Sequence, residues 1–155
     1  MKNILLFVFI SALYLHDFDE LYFGTDNELD IITWNIERFP KNGNTTIDYV
    51  TQIIKAIDVD VIAMQELDDR NSFDQMINDL NEYNGYYEST WFAGLAYIYN
   101  NETIQINNIY EIFTTSPYWN AFPRSPMVMD MNFMGKNYII INNHYKCCGD
   151  DNLNL

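Results

Sequence analysis

At 155 residues the chain is long enough for one domain with a single core and little to spare. Its 22 acidic against 8 basic residues leave a net charge of −14, the wrong sign for unaided binding to a polyanion, because phosphate contacts normally come from Lys and Arg. A phosphate substrate is not excluded, but its positive partner must then come from elsewhere, and a divalent cation is the obvious source.

The first elements concern export. Lys2 precedes the apolar run Ile4 to Leu15, which is too short to span a bilayer comfortably and has the length of a signal-peptide core. Residues 1–20 are therefore expected to be a signal peptide and leader. A secreted or periplasmic chain would follow, with no stable membrane association once the leader is removed. A buried N-terminal strand or helix is the alternative. No later stretch is apolar for long enough to cross a membrane. The adjacent Cys147 and Cys148 close no loop, so they define no disulfide framework; a vicinal bridge, free thiols and an outside partner all stay open.

Residues 21–155 are expected to form the domain. "LDIITWN", Leu29 to Asn35, is β-branched and aromatic, hence a strand, broken by Pro40, Asn42 and Gly43. Thr45 or Thr46 can cap a helix to about Asp58, with Ile47, Val50, Ile54 and Ile57 on one face. A strand from Val59 to Gln65 follows. The unit is strand–helix–strand, so its strands are most simply parallel with a right-handed crossover. A second helix is expected from Ser72, burying Phe73, Met76, Ile77 and Leu80. Beyond Gly85, "LAYIYN", "TIQINNIYEIF", "MVMDMNFM" and "NYIIINN" read as short strands between turn signals. Met127, Met129, Met131 and Phe133 alternate with Val128, Asp130 and Asn132, which marks core rather than a cofactor box. Lys136 falls in the turn Met134 to Asn137 that closes a hairpin. The fold class is α/β with mixed sheets.

Chemistry gathers at strand ends. In "VIAMQELDD" five apolar and amide residues lead into Glu66, a carboxylate where a buried strand meets solvent. Parallel strands end on one edge of the sheet, where ligands of open α/β sheets collect, so Asn35 and Glu66 should face each other there. A carboxylate, an amide oxygen and several waters suit Mg²⁺. Arg124 lies between Pro123 and Pro126 in "FPRSPMV", on stiff backbone before a strand, and offers a planar fork for phosphate oxygens. His144 closes the strand in "IINNHYK", and imidazole is the usual group for proton transfer near neutrality. Singly, each is ordinary: a turn Asn, a solvated Glu, a surface Arg, a strand-end His. In this order they point to one site.

"ITWNIERFP", "DVIAMQELDD", "FPRSPMV" and "INNHYKCCGD" resemble successive motifs of the endonuclease/exonuclease/phosphatase superfamily, the deoxyribonuclease-like fold, and are most similar to its secreted bacterial members. The resemblance runs from about Leu29 to Asp151. It implies a four-layer α/β sandwich and metal-dependent hydrolysis of phosphate esters. It implies further that Asn35 and Glu66 hold Mg²⁺ or Mn²⁺ and phosphate, that Arg124 contacts the phosphate, and that His144 assists proton transfer. Further site residues are expected around Trp91 and Tyr97. The superfamily's later motifs, a strand-end Asp-x-Asn and an Asp-His pair, have no counterpart before Leu155, so the chain reads as an amino-terminal half, inactive alone.

The expected substrate is a phosphate ester, nucleic acid among them, cleaved by a nuclease or general phosphodiesterase; no specific protein partner is implied. The acidic charge favours small or lipid phosphates over long DNA, because steering of DNA would be repulsive. The competing readings are a hydrolase of phospholipid head groups or sugar phosphates and a non-catalytic secreted binding module.

Overall fold

The computed structural model describes residues 18–88 and 93–145. Residues 1–17, with His16 and most of the expected leader, lie outside the described residues, as do Trp91, Cys147 and Cys148. Among the described residues no helix is long and apolar enough to cross a membrane.

The order is β1 (Ile31–Phe39), α1 (Asn44–Ile57), β2 (Val61–Leu67), α2 (Arg70–Asn78), β3 (Tyr83–Glu88), β4 (Gly94–Asn100), β5 (Ile104–Glu111), β6 (Met127–Phe133) and β7 (Lys136–Asn142). Two sheets result, one ordered β1-β2-β4-β3 and one ordered β5-β6-β7. The strand–helix–strand reading holds: β1 and β2 pair in parallel, while β4 joins them antiparallel. The first sheet is thus mixed. The second is wholly antiparallel.

Two cores follow from strand alternation. Helix α1 turns Ile47, Val50 and Ile54 onto the first sheet, and α2 adds Phe73 and Met76, against Ile62, Met64 and Ile98. The opposite face of the same strands, Val61, Ala63, Leu95 and Tyr97, packs on Met127, Met129, Met131 and Phe133 of the second sheet. The methionine stripe is core, as its period indicated. Among the described residues helices cover the first sheet only, so the layers are helix, sheet and sheet, as expected of part of a four-layer α/β sandwich. The outer face of β7 leaves Ile139 and Ile141 half exposed.

Several boundaries moved for identifiable reasons. β1 continues past Asn35 to Phe39, because Phe39 is fully buried against the helices. α2 begins at Arg70 rather than Ser72, since Asp69 caps it by accepting from the amides of Asn71 (3.3 Å) and Ser72 (3.1 Å). β3, "YNGYYE", was not expected as a strand. Its Gly85 lets α2 approach: a Cβ there would lie 2.6 Å from Ile77 Cγ1 and 2.7 Å from Phe73 Cζ. The β6–β7 hairpin has a two-residue turn, Met134 (φ 48°) and Gly135 (φ 78°), both left-handed as a type I′ turn requires. Lys136 therefore opens β7 opposite Phe133 instead of sitting in the turn.

Candidate active site

The answer to why β2 ends in a carboxylate is a break in register. Pairing of β1 with β2 is regular through Asn35 and Gln65, then resumes at Phe39 and Leu67. The slip is taken up by left-handed residues at Glu37 (φ 44°), Arg38 (φ 63°) and Glu66 (φ 66°). With unbroken alternation, Glu66 would follow Ile62 and Met64 into the helix-side core. The bulge puts Leu67 there instead, fully buried, and turns Glu66 out to the rim. A non-glycine residue in that conformation costs about 1–3 kcal/mol, which the burial of Phe39 and Leu67 on either side offsets.

Asn35 and Glu66 meet, as expected of strands ending on one edge. Asn35 Nδ2 donates to Glu66 Oε1 at 3.0 Å, and Asn35 Oδ1 accepts the backbone N–H of Glu37 at 3.0 Å, which fixes the amide's orientation. His144, two residues past β7, brings its Nε2 to 3.3 Å from the same Glu66 Oε1. One carboxylate oxygen thus serves two neighbours, and Oε2 accepts no hydrogen bond among the described residues. His144 Nδ1 is buried with no partner among the described residues, so the ring's proton belongs on Nε2. Burial lowers the His144 pKa first and the charge of Arg124 lowers it further, against an opposing pull from Glu66.

Arg124 acts on His144 by charge. Its Nε donates to the carbonyl of Ala93 at 3.0 Å, and the Ala93 N–H donates to Asp68 Oδ1 at 3.0 Å. Asp68 Oδ2 accepts Arg38 Nε at 3.0 Å. Asn35, Glu66 and His144 are therefore in contact, with Arg124 close enough to act on the imidazole.

Two residues beneath the rim had not been assigned a role. Gln65 Nε2 donates to Asn142 Oδ1 at 2.7 Å and to the Ala63 carbonyl at 3.0 Å. Asn142 Nδ2 donates to the carbonyls of Met64 (2.9 Å) and Ala96 (3.1 Å). This clamp joins the sheets next to Glu66 and two residues before His144. Its signal was legible: Gln65 shares the inward phase of Val61 and Ala63, and Asn142 that of Tyr138 and Ile140, and buried amides need partners. Tyr97, by contrast, lies in the inter-sheet core, its hydroxyl between the carbonyls of Met127 (3.0 Å) and Ile140 (3.1 Å), with burial raising its pKa.

The fold recurs in solved structures. TDP2 from zebrafish (D. rerio), in a complex with single strand DNA product, matches with a TM-score of 0.68 at 17% identity over 81% of this chain and 49% of that one. TDP2 from C. elegans, in truncated form, gives 0.56 at 18% over 76% and 46%. An endonuclease/exonuclease/phosphatase from Bacteroides vulgatus gives 0.53 at 19% over 73% and 52%. The chain spans about half the length of these proteins. No curated protein sequence matches it. The model of the endonuclease/exonuclease/phosphatase family matches residues 32–137, more than half of the chain, and the chain belongs to that family.

Proposed function

We propose that the chain carries the cation- and phosphate-binding part of a metal-dependent phosphate-ester hydrolase, a nuclease or general phosphodiesterase. The observation that carries this reading is Glu66, turned out of a buried strand and contacted through one oxygen by Asn35 and His144. The DNA product held by the zebrafish relative supports a nucleic-acid phosphodiester as substrate.

The donor set fits Mg²⁺ or Mn²⁺. Glu66 Oε2 would be the charged ligand and the Asn35 oxygen, with a second lone pair beside that taken by Glu37, the neutral one. Among the described residues no three His, Cys, Asp or Glu side chains cluster, which suits an ion that keeps water and is completed by substrate phosphate. Such an ion supplies the charge that polarises a phosphoryl oxygen and stabilises a leaving oxyanion. Arg124 would neutralise a non-bridging oxygen with its fork. His144, whose Nε2 lies against Glu66 Oε1, would in its protonated form hand the Nε2 proton to the leaving oxygen and end as the neutral ring. Asn35 would hold Glu66 in place. A second base to activate water is not among these groups, so the 155-residue chain is expected to bind cation and phosphate and to turn over slowly. The leader at residues 1–20 is proposed to direct export, which an N-terminal sequence starting at Met1 in the exported protein would contradict.

The test is binding and turnover together. Inorganic phosphate should bind in the presence of Mn²⁺, not with chelator, and Glu66→Gln should abolish that binding. Cleavage of plasmid DNA or bis-p-nitrophenyl phosphate, if detected, should vanish in the same two conditions. Phosphate binding that ignores chelator and Glu66→Gln would overturn the reading.

A further inference from the structure

The loop between β5 and β6, residues 112–126, is long for a compact domain and yet ordered, with a short 3-10 turn at Tyr118–Asn120. Loops of that length inside a domain usually carry function. This one carries a run of touching rings. Phe113 lies 4.8 Å from Tyr118 and stacks on Phe122 at 5.0 Å with an interplanar angle of 12°. Phe122 in turn faces Tyr145 at 6.1 Å. The run ends at the rim from both sides: Phe122 is two residues before Arg124, and Tyr145 follows His144. Its outer members are exposed, Tyr145 at 63%, Tyr118 at 44% and Phe113 at 40%, while Phe122 between them is partly buried. Three rings thus contact in series while Phe113 and Tyr145 stay exposed, next in the chain to residues proposed to hold phosphate.

Building on that reading of the Glu66 site, we propose that Phe113, Phe122 and Tyr145 form a stacking platform for an unpaired nucleobase next to the bound phosphate. The substrate class is then the end of a single strand or a short oligonucleotide rather than duplex DNA. Charge favours this occupant. No Lys or Arg lies between residues 112 and 123, and the chain is acidic overall, so the loop itself offers no basic track for a long phosphate backbone. Stacking is the contact that holds single strands without one, and it requires the base to be free of a complementary strand. The same lack of basic residues works against an anionic membrane surface.

The test titrates the 155-residue protein, with Mg²⁺ present, with adenosine 5′-monophosphate and with ribose 5-phosphate, following tryptophan fluorescence and heat. The base should tighten binding roughly five- to hundredfold, the range expected for one base on an aromatic ring. Tyr145→Leu and Phe122→Leu should bring the nucleotide down to the affinity of the sugar phosphate while leaving the sugar phosphate unchanged, which also shows that the variants fold. Tyr145→Phe should retain the nucleotide's advantage. Equal affinity for the two ligands, both lost in Glu66→Gln, would overturn the platform and leave the phosphate site standing. Failure of both ligands to bind would overturn the phosphate site and the platform with it. Sedimentation with phosphatidylcholine vesicles that depends on Phe122 and Tyr145, without any nucleotide preference, would assign the rings to a lipid surface instead.

Discussion

Replacing Asn142 by Leu removes the clamp between the sheets and leaves the hydrophobic packing nearly intact. Asn142 is 2% exposed, and its amide makes three contacts, to Met64, Ala96 and Gln65. A typical buried hydrogen bond contributes about 0.5–1.5 kcal/mol net, but an orphaned partner costs about 1–3 kcal/mol. The substitution removes three hydrogen bonds and leaves two buried carbonyls short of a donor, while the Gln65 amide keeps the Thr33 hydroxyl and the Ala63 carbonyl as acceptors, so the loss should be about 3–5 kcal/mol. That is a large fraction of the roughly 5–15 kcal/mol that holds a domain together. The melting temperature should fall by roughly 10–15 °C. Urea unfolding followed by circular dichroism measures it directly. The double variant Gln65→Leu/Asn142→Leu should be more stable than the sum of the single losses by about 1 kcal/mol, because each single variant already loses the shared Gln65–Asn142 hydrogen bond. The reasoning fails if Asn142→Leu unfolds within about 1 kcal/mol of the parent, or if the two losses simply add. Because the clamp sits between Glu66 and His144, Mn²⁺-dependent phosphate binding should weaken in the same variants.

Three further outcomes follow from the fold. Gly85→Ala should lower stability by about 1–3 kcal/mol in chemical unfolding, because its Cβ meets Ile77 and Phe73 at under 3 Å and the strand must move away from α2. Asp69→Ala should cost about 1 kcal/mol by loss of the α2 cap. Hydrogen bonds from Ser72 hold the Asp69 pKa below 3.8, so its share of stability is present above that value and fades as pH falls through the lower folded one. Glu111 behaves oppositely. Burial, then Glu88, raises its pKa above 4.5, so the fold favours its protonated form and loses stability as pH rises through the raised value. Glu111→Gln should therefore raise the melting temperature at pH 7 and leave it nearly unchanged near pH 4.

The elements that were legible in the sequence are those whose signal is a period. The α1 face at Ile47, Val50 and Ile54, the methionine stripe of β6 and the parallel β1–β2 unit all rest on side chains repeating at 3.6 or 2 residues. β3 escaped because its Asn84 and Gly85 are poor strand formers, whereas Gly85 is there to admit a helix. The bulge escaped because left-handed backbone at Glu37, Arg38 and Glu66 leaves no mark in residue type when no glycine provides it. Its consequence was nevertheless visible, as a carboxylate closing an apolar strand. Of the site, Asn35, Glu66 and His144 were found by strand-end chemistry and do meet. The clamp of Gln65 and Asn142 passed unassigned, since an amide inside a strand declares its partner only when the second sheet is in place.

On the proposed reading, Glu66 holds a divalent cation at the rim. Electron paramagnetic resonance of Mn²⁺ titrated with the protein counts free ion directly. One bound Mn²⁺ per chain is expected, displaced by Mg²⁺ and absent in Glu66→Gln, while Glu111→Gln binds as the parent does. An ion that binds equally well to Glu66→Gln would contradict the claim.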